Sequence, residues 1–244
     1  MAIRLNCDMG ESFGIWKMGN DEEIMPLIDM ANLACGFHAS DAITMSRSVN
    51  LAKKYNVTIG AHPSYNDLLG FGRRTMLCSL EEIKSIILYQ LGALNAFCIA
   101  NGTTVSYVKP HGALYNDMMR DENIFKAILN AISSFNKNIK LMILSGPKNE
   151  EYEYTAKLYD INLIFEVFAD RNYNDDGTLV SRLNEYAIIH DELEVMSRVV
   201  NLKERRYINS INNQKLFFKC DSICVHGDND KALEFIKSVR KSLY

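Results

Sequence analysis

With 244 residues, 48 % apolar and 23 % charged, the chain has the composition of an ordinary soluble globule, not of a disordered or fibrous protein. Area scaling has a chain this long hide about three quarters of its unfolded surface, enough for one sizeable core, so a single domain over residues 1–244 is expected. Twenty-seven basic against thirty acidic residues leave a net charge of −3, which argues against general affinity for nucleic acid or an anionic membrane.

The opening MAIRLNCDMGES meets an acid at Asp8 with no apolar run behind a basic start, so no secretory leader is expected and the chain reads as cytoplasmic. Strands are expected near 2–7, 30–35, 57–61, 105–109, 139–144, 161–166 and 222–226, where β-branched and apolar residues cluster. Helical periodicity follows most of them, over Asp41 to Tyr55, Ser79 to Asn101, Asp121 to Phe135, Asn149 to Tyr159, Asp191 to Leu202 and Asp228 to Leu243. Ser79 and Glu82 have the spacing of a capping box, and Asp41 and Asp228 stand where helix N-caps belong.

The longest apolar stretch, Ile86 to Ala100, contains Gln90 and Asn95 and falls short of a bilayer's thickness. Asp170 to Glu185 reads as a long functional loop leaving a strand end, and residues 205–219 as a small hairpin insertion around Asn212-Asn213. Seven βα units fit a seven-stranded β/α (TIM-like) barrel better than an open dinucleotide-binding sheet. No Gly-x-Gly-x-x-Gly turn follows the first strand. The six cysteines show no Cys-x-x-Cys spacing and read as buried, reduced thiols.

In such a barrel the active site lies beyond the strand ends, and polar residues of catalytic type fall there repeatedly. The first strand brings Asn6, Asp8 and Glu11, the second Asn32 and His38, and the third His62 with Arg73 and Arg74. The fourth brings Lys109, His111 and Tyr115, the sixth Glu166 and Arg171, and the last His226. Any one of these is explained by a cap, a turn or a rim salt bridge; their convergence from different strands on one mouth points to an active site. Asp8, His38, His62, His111 and Lys109 are the catalytic candidates, and the others are candidates for holding substrate. Asp8, His38 and His62 suit either a divalent metal such as zinc or metal-free acid–base catalysis. Spacing leaves both open. Lys109, Arg73, Arg74 and Arg171 suit a carboxylate or phosphate on the substrate.

Taken together, NCDMGESFG, NLACGFHASD, GAHPSYNDLLGFGRR, VKPHGALYND, FADRNY and CVHGD resemble the family of 5-oxoprolinase A subunits, also called LamB/YcsF, from Leu5 to the C-terminal helix. Two departures show. Ser40-Asp41-Ala42 stands where the family usually reads Gly-Asp-Pro, and Asn229-Asp230 where it reads Thr-Pro. The resemblance implies a barrel of the glycoside hydrolase/deacetylase type and membership of a complex with 5-oxoprolinase subunits B and C. That complex opens the lactam of 5-oxo-L-proline to L-glutamate, with ATP as co-substrate. No Walker-type loop is present in this chain, so phosphorylation is expected from the partners and hydrolytic ring-opening here. The alternatives are a stand-alone metal-dependent deacetylase or amidohydrolase and a non-catalytic, substrate-binding scaffold. Whether the chain also forms a homo-oligomer is left open by the sequence.

Overall fold

Period-two alternation sets the first element of the computed structural model, which describes residues 3–182, 184–225 and 232–244. In β1 (Arg4–Met9), Leu5, Cys7 and Met9 join the large apolar core, while Asn6 and Asp8 alternate with them on the opposite face. A short helix α1 (Asp21–Ile24) leads to β2 (Met30–Ala34), α2 (Ala42–Lys54), β3 (Thr58–His62), α3 (Leu80–Ala100) and β4 (Val105–Val108). Two helices follow, α4 (Gly112–Arg120) and α5 (Glu122–Phe135), then β5 (Lys140–Leu144), α6 (Asn149–Lys157) and β6 (Leu163–Phe168). The chain ends with α7 (Glu192–Arg205), the strands β7 (Tyr207–Asn209), β8 (Lys215–Phe217) and β9 (Ser222–Cys224), and α8 (Ala232–Leu243).

Six parallel strands, β1 to β6, run in sequence order, and β9 closes the barrel by pairing with both β6 and β1. This is the expected seven-stranded β/α barrel. The first and sixth strands lie two residues later than expected, at 4–9 and 163–168, which carries Asp8 and Phe168 inside the sheet. β7 and β8 form an antiparallel hairpin within 205–219, with Asn213 in the left-handed region of its turn.

The helix α4 is absent from the sequence expectation. Pro110, Gly112 and the Asn116-Asp117 pair read as turn signals, yet Gly112 merely starts the helix, and Ala113, Leu114, Tyr115, Asp117 and Met118 make a buried face. Length also proves a poor argument about α3. At 21 residues it is long and apolar enough to span a bilayer by length and composition. Packing gives the better account: Ile83, Ile87, Leu91, Leu94 and Cys98 are buried in the common core, and the buried Gln90 amide bonds both the N–H and the C=O of Ser64. Ser79 and Glu82 cap this helix reciprocally, and Asp41 caps α2 by accepting from the N–H groups of Ile43 and Thr44. Asp228 lies outside the described residues.

Inside the barrel, Met30, Tyr107, Met142 and Ile164 form a separate apolar plug. Gly60 makes room for it, because a Cβ there would come within 2.2 Å of the Tyr107 ring. All six cysteines are free, and all but Cys78 are buried.

Candidate active site at the barrel mouth

Two residues beyond the plug, Asn32, Lys109 and Glu166 are polar and Leu144 alone is apolar, so the barrel interior changes character toward the mouth. Directly above the plug the Tyr107 hydroxyl donates to Asn32 Oδ1 at 2.6 Å. The Asn32 amide donates to Asn6 Oδ1 and Asp8 Oδ1, at 2.8 and 2.7 Å, and the Asn6 amide donates to Ser222 Oγ at 2.7 Å. Asn6, Asn32 and Glu166 are fully buried, so they serve as the floor of the site. None of the three, expected from sequence as candidates for holding substrate, lines the cavity above them. Period-two alternation puts them inside the barrel, but it carries no information on depth.

Lys109 occupies the next layer. Its ammonium lies 3.0 Å from Asp8 Oδ1 and 2.8 Å from Glu166 Oε1, and 3.3 Å from Cys224 Sγ. The contact with Glu166 Oε1 is an ion pair without hydrogen-bond alignment, while Tyr115 donates to Glu166 Oε2 at 3.0 Å. Burial alone would lower the Lys109 pKa, but Asp8 foremost, then Cys224 and Glu166, hold it well above the usual lysine value. Lys109 therefore stays a cation between two carboxylates. The Cys224 thiol is pushed well up by burial.

Three histidines gather at the rim of this layer. His62 Nδ1 donates to the Lys109 carbonyl at 2.6 Å, and His111 Nε2 donates to the Phe71 carbonyl at 2.9 Å. These bonds aim His62 Nε2 and His111 Nδ1 at each other, 2.9 Å apart. Asp8 Oδ2 is 3.4 Å from His62 Nε2, and Glu11 Oε1 is 3.7 Å from His111 Nδ1. His38 stacks flat on His111, ring centroids 3.8 Å apart, and its Nε2 lies 3.1 Å from Glu11 Oε1. Its other ring nitrogen is buried without a partner among the described residues. Burial, followed by the neighbouring imidazoles, holds the pKa values of His38 and His111 well below the ordinary histidine value.

A cavity of about 510 Å³ opens on this group, lined by Asp8, His62, Lys109, His111, Tyr115 and Arg73 among others. Arg171 joins them from the loop after β6, as expected of that loop, with its guanidinium anchored on the Val180 and Ala187 carbonyls. Burial first, then the like charge of Arg182, pushes Arg171 down to about 10. Arg74 turns the other way and pairs with Asp67, so of the two adjacent arginines only Arg73 reaches the cavity. The left-handed residues Phe71 and Gly72 set that turn, which spacing alone does not reveal. His38 and Glu11 lie behind His111 and do not line the cavity, and His226 lies outside the described residues. Asn116 and Arg120 of α4, together with Ser181 and Arg182, line it although none of the four stands out in the sequence. The first two belong to a helix that its own turn-like residues conceal.

The closed β/α barrel thus sets a buried Asp–Lys–Glu group beside paired imidazoles, under a wall of arginines whose charge suits a small anionic molecule. The chain belongs to the LamB/YcsF family, whose model matches residues 3–244. It is 48 % identical over 242 residues to the 5-oxoprolinase A subunit of Vibrio parahaemolyticus, covering 99 % of this chain and 96 % of that one. It is 49 % identical over 242 residues to the 5-oxoprolinase A subunit of Vibrio cholerae, covering 99 % of this chain and 98 % of that one. Among solved structures, a lactam utilization protein from Thermus thermophilus superposes with a TM-score of 0.92 at 37 % identity, covering 100 % of this chain and 96 % of that one.

Proposed function

We propose that this chain is the A subunit of an ATP-dependent 5-oxoprolinase, working in the cytoplasm with subunits B and C to open 5-oxo-L-proline to L-glutamate. The observation that carries this reading is the likeness, along essentially the whole length of both chains, to proteins named as 5-oxoprolinase A subunits. The site suits the chemistry. A five-membered lactam is a resonance-stabilised amide, and phosphorylation of its oxygen by partner-bound ATP makes the ring carbon electrophilic. Water then adds to that carbon, the C–N bond breaks with its electron pair going to nitrogen, and nitrogen takes up a proton. The acyl phosphate so formed consumes a second water and leaves as carboxylate and phosphate.

Asp8 is the group for proton transfer, because it lines the cavity and is oriented by Asn32 and Lys109. It takes the proton of the attacking water and returns it to the departing nitrogen. His111 is poorly placed as the acid, since its Nε2–H is committed to the Phe71 carbonyl, and His38 lies behind it. Arg73 and Arg171, with Arg120 and Arg182 beside them, hold the substrate carboxylate and the phosphoryl group.

Reconstitution with the partner subunits tests this. Glutamate release from 5-oxoproline is expected only with all subunits and ATP, and the isolated chain is expected to show no 5-oxoproline-dependent ATPase. Asp8→Asn is expected to lower turnover by about 10²–10⁴-fold. Robust ATPase from the isolated chain, or full turnover by D8N in the complex, would overturn the assignment.

A further inference from the structure

The two imidazoles that face each other across the mouth pose a chemical question. His62 Nδ1 and His111 Nε2 both donate to backbone carbonyls, so in their neutral forms the nitrogens facing each other at 2.9 Å are both lone pairs. Two lone pairs do not rest against each other unless a cation lies between or beside them. A carboxylate oxygen, Glu11 Oε1, converges on the same point, 3.7 Å from His111 Nδ1. All the donor atoms of Glu11, His38, His62 and His111 fall within 4.8 Å of one another.

We infer that the barrel mouth is a binding site for one divalent transition-metal ion of the zinc class, held by His62 Nε2, His111 Nδ1 and Glu11 Oε1. A tetrahedral zinc with bonds of about 2.0–2.1 Å spaces its ligands roughly 3.3 Å apart, and the 2.9 and 3.7 Å separations bracket that value. Imidazole nitrogens with a carboxylate oxygen are the donor set of zinc, cobalt and iron, not of calcium or magnesium. The carbonyl bonds on the far ring nitrogens are those a metal-binding histidine makes to fix its tautomer. His38 is a positioning residue, holding the ligand carboxylate through Nε2 and the His111 ring through its stacked face. A shared proton would satisfy the two imidazoles alone; an ion would satisfy them together with Glu11 Oε1, which His38 holds beside them. His62 and His111 border the cavity while Glu11 lies behind them, so the ion would face substrate on its free side.

This ligand set differs from the Asp8, His38 and His62 expected from sequence. Only His62 is common to both. Asp8 Oδ1 is engaged by Lys109 and Asn32, while its Oδ2 stands 3.4 Å from His62 Nε2, beside the ligand group.

Ion binding is tested apart from the reaction, so its failure would leave the 5-oxoprolinase reading untouched. Chelator-treated protein is titrated with Zn²⁺ by calorimetry and with Co²⁺ by visible absorption. One ion per chain is expected, with the intense visible bands of four-coordinate Co²⁺ and a melting temperature that rises with Zn²⁺. His111→Gln and Glu11→Gln are each expected to weaken binding by about 100-fold or more, and His190→Gln, at an exposed site, to leave it unchanged. Should H111Q fail to fold by circular dichroism, E11Q carries the comparison. Absence of saturable Zn²⁺ and Co²⁺ binding, a Co²⁺ spectrum like that of the aqua ion, or undiminished binding by folded H111Q or E11Q would overturn the site.

Discussion

Ser40 holds φ at 75°, a left-handed conformation that costs an L-residue about 1 kcal/mol, and its neighbour Ala42 opens α2. These are two of the positions where the family resemblance would place Gly and Pro. Asp41, between them, is extended at φ −132° and ψ 178°, a conformation that tolerates a following proline. Ser40→Gly and Ala42→Pro are each expected to raise stability by about 0.5–1 kcal/mol, read from urea unfolding. Asp21 behaves differently. Its carboxylate accepts the Gly10 N–H at 2.9 Å, yet burial outweighs that bond and raises its pKa to about 6. An acid whose folded pKa exceeds its unfolded value, about 3.9, gives stability that is complete below the unfolded pKa and is lost as pH rises through the folded one. The melting temperature of Asp21→Asn is therefore expected to gain on that of the native chain between pH 4 and 7. A difference that stays flat across that range would refute the assignment.

At the scale of elements, the site depends on how neighbouring strands feed one interior. Gly60 of β3 admits the Tyr107 ring of β4, whose hydroxyl holds Asn32 of β2, which in turn holds Asp8 of β1. A methyl group at residue 60 has no strained backbone to contend with, only the aromatic ring. Gly60→Ala is thus expected to cost about 1–3 kcal/mol and to lower turnover of the complex by displacing Asp8 through two intermediates. Unchanged stability and activity would show that the plug has slack. The same elements explain what can be read in advance. Asp8, His62, Lys109 and His111 are legible because βα rhythm places strand-end residues at one mouth whatever the details. Depth is not legible, so the sequence does not tell that Asn6, Asn32 and Glu166 are fully buried beneath the cavity. Nor is the turn at Phe71 and Gly72, which sends Arg73 and Arg74 apart, or the helix α4 that supplies Asn116 and Arg120. Glu11 reads as a substrate-binding candidate rather than a metal donor because the bend at Gly10, φ 70°, swings it toward His111 in a way no spacing rule conveys.

For the whole molecule, closure of the barrel is the condition on which everything else rests. β9 pairs with β1 and β6 at once, and contributes Ser222 to the asparagine chain and Cys224 to the Lys109 contacts. A chain ending at Asp221 would keep six of the seven barrel strands and most helices but leave β1 and β6 with open edges. Such a truncation is expected to be expanded and to unfold without a cooperative transition in urea. A sharp native-like transition would show that six strands suffice.

The Asn6–Ser222 hydrogen bond joins residues 216 positions apart. Contacts so distant along the chain form late, because the intervening loop must be closed before they return anything. On a ribosome, where the N-terminal strands emerge first, Asp8 and Lys109 would wait for the final strand before their surroundings are complete. The polar interior thus makes the last strand a checkpoint on synthesis: a nascent or prematurely terminated chain carries the charged residues of the mouth but not the enclosure that sets their chemistry.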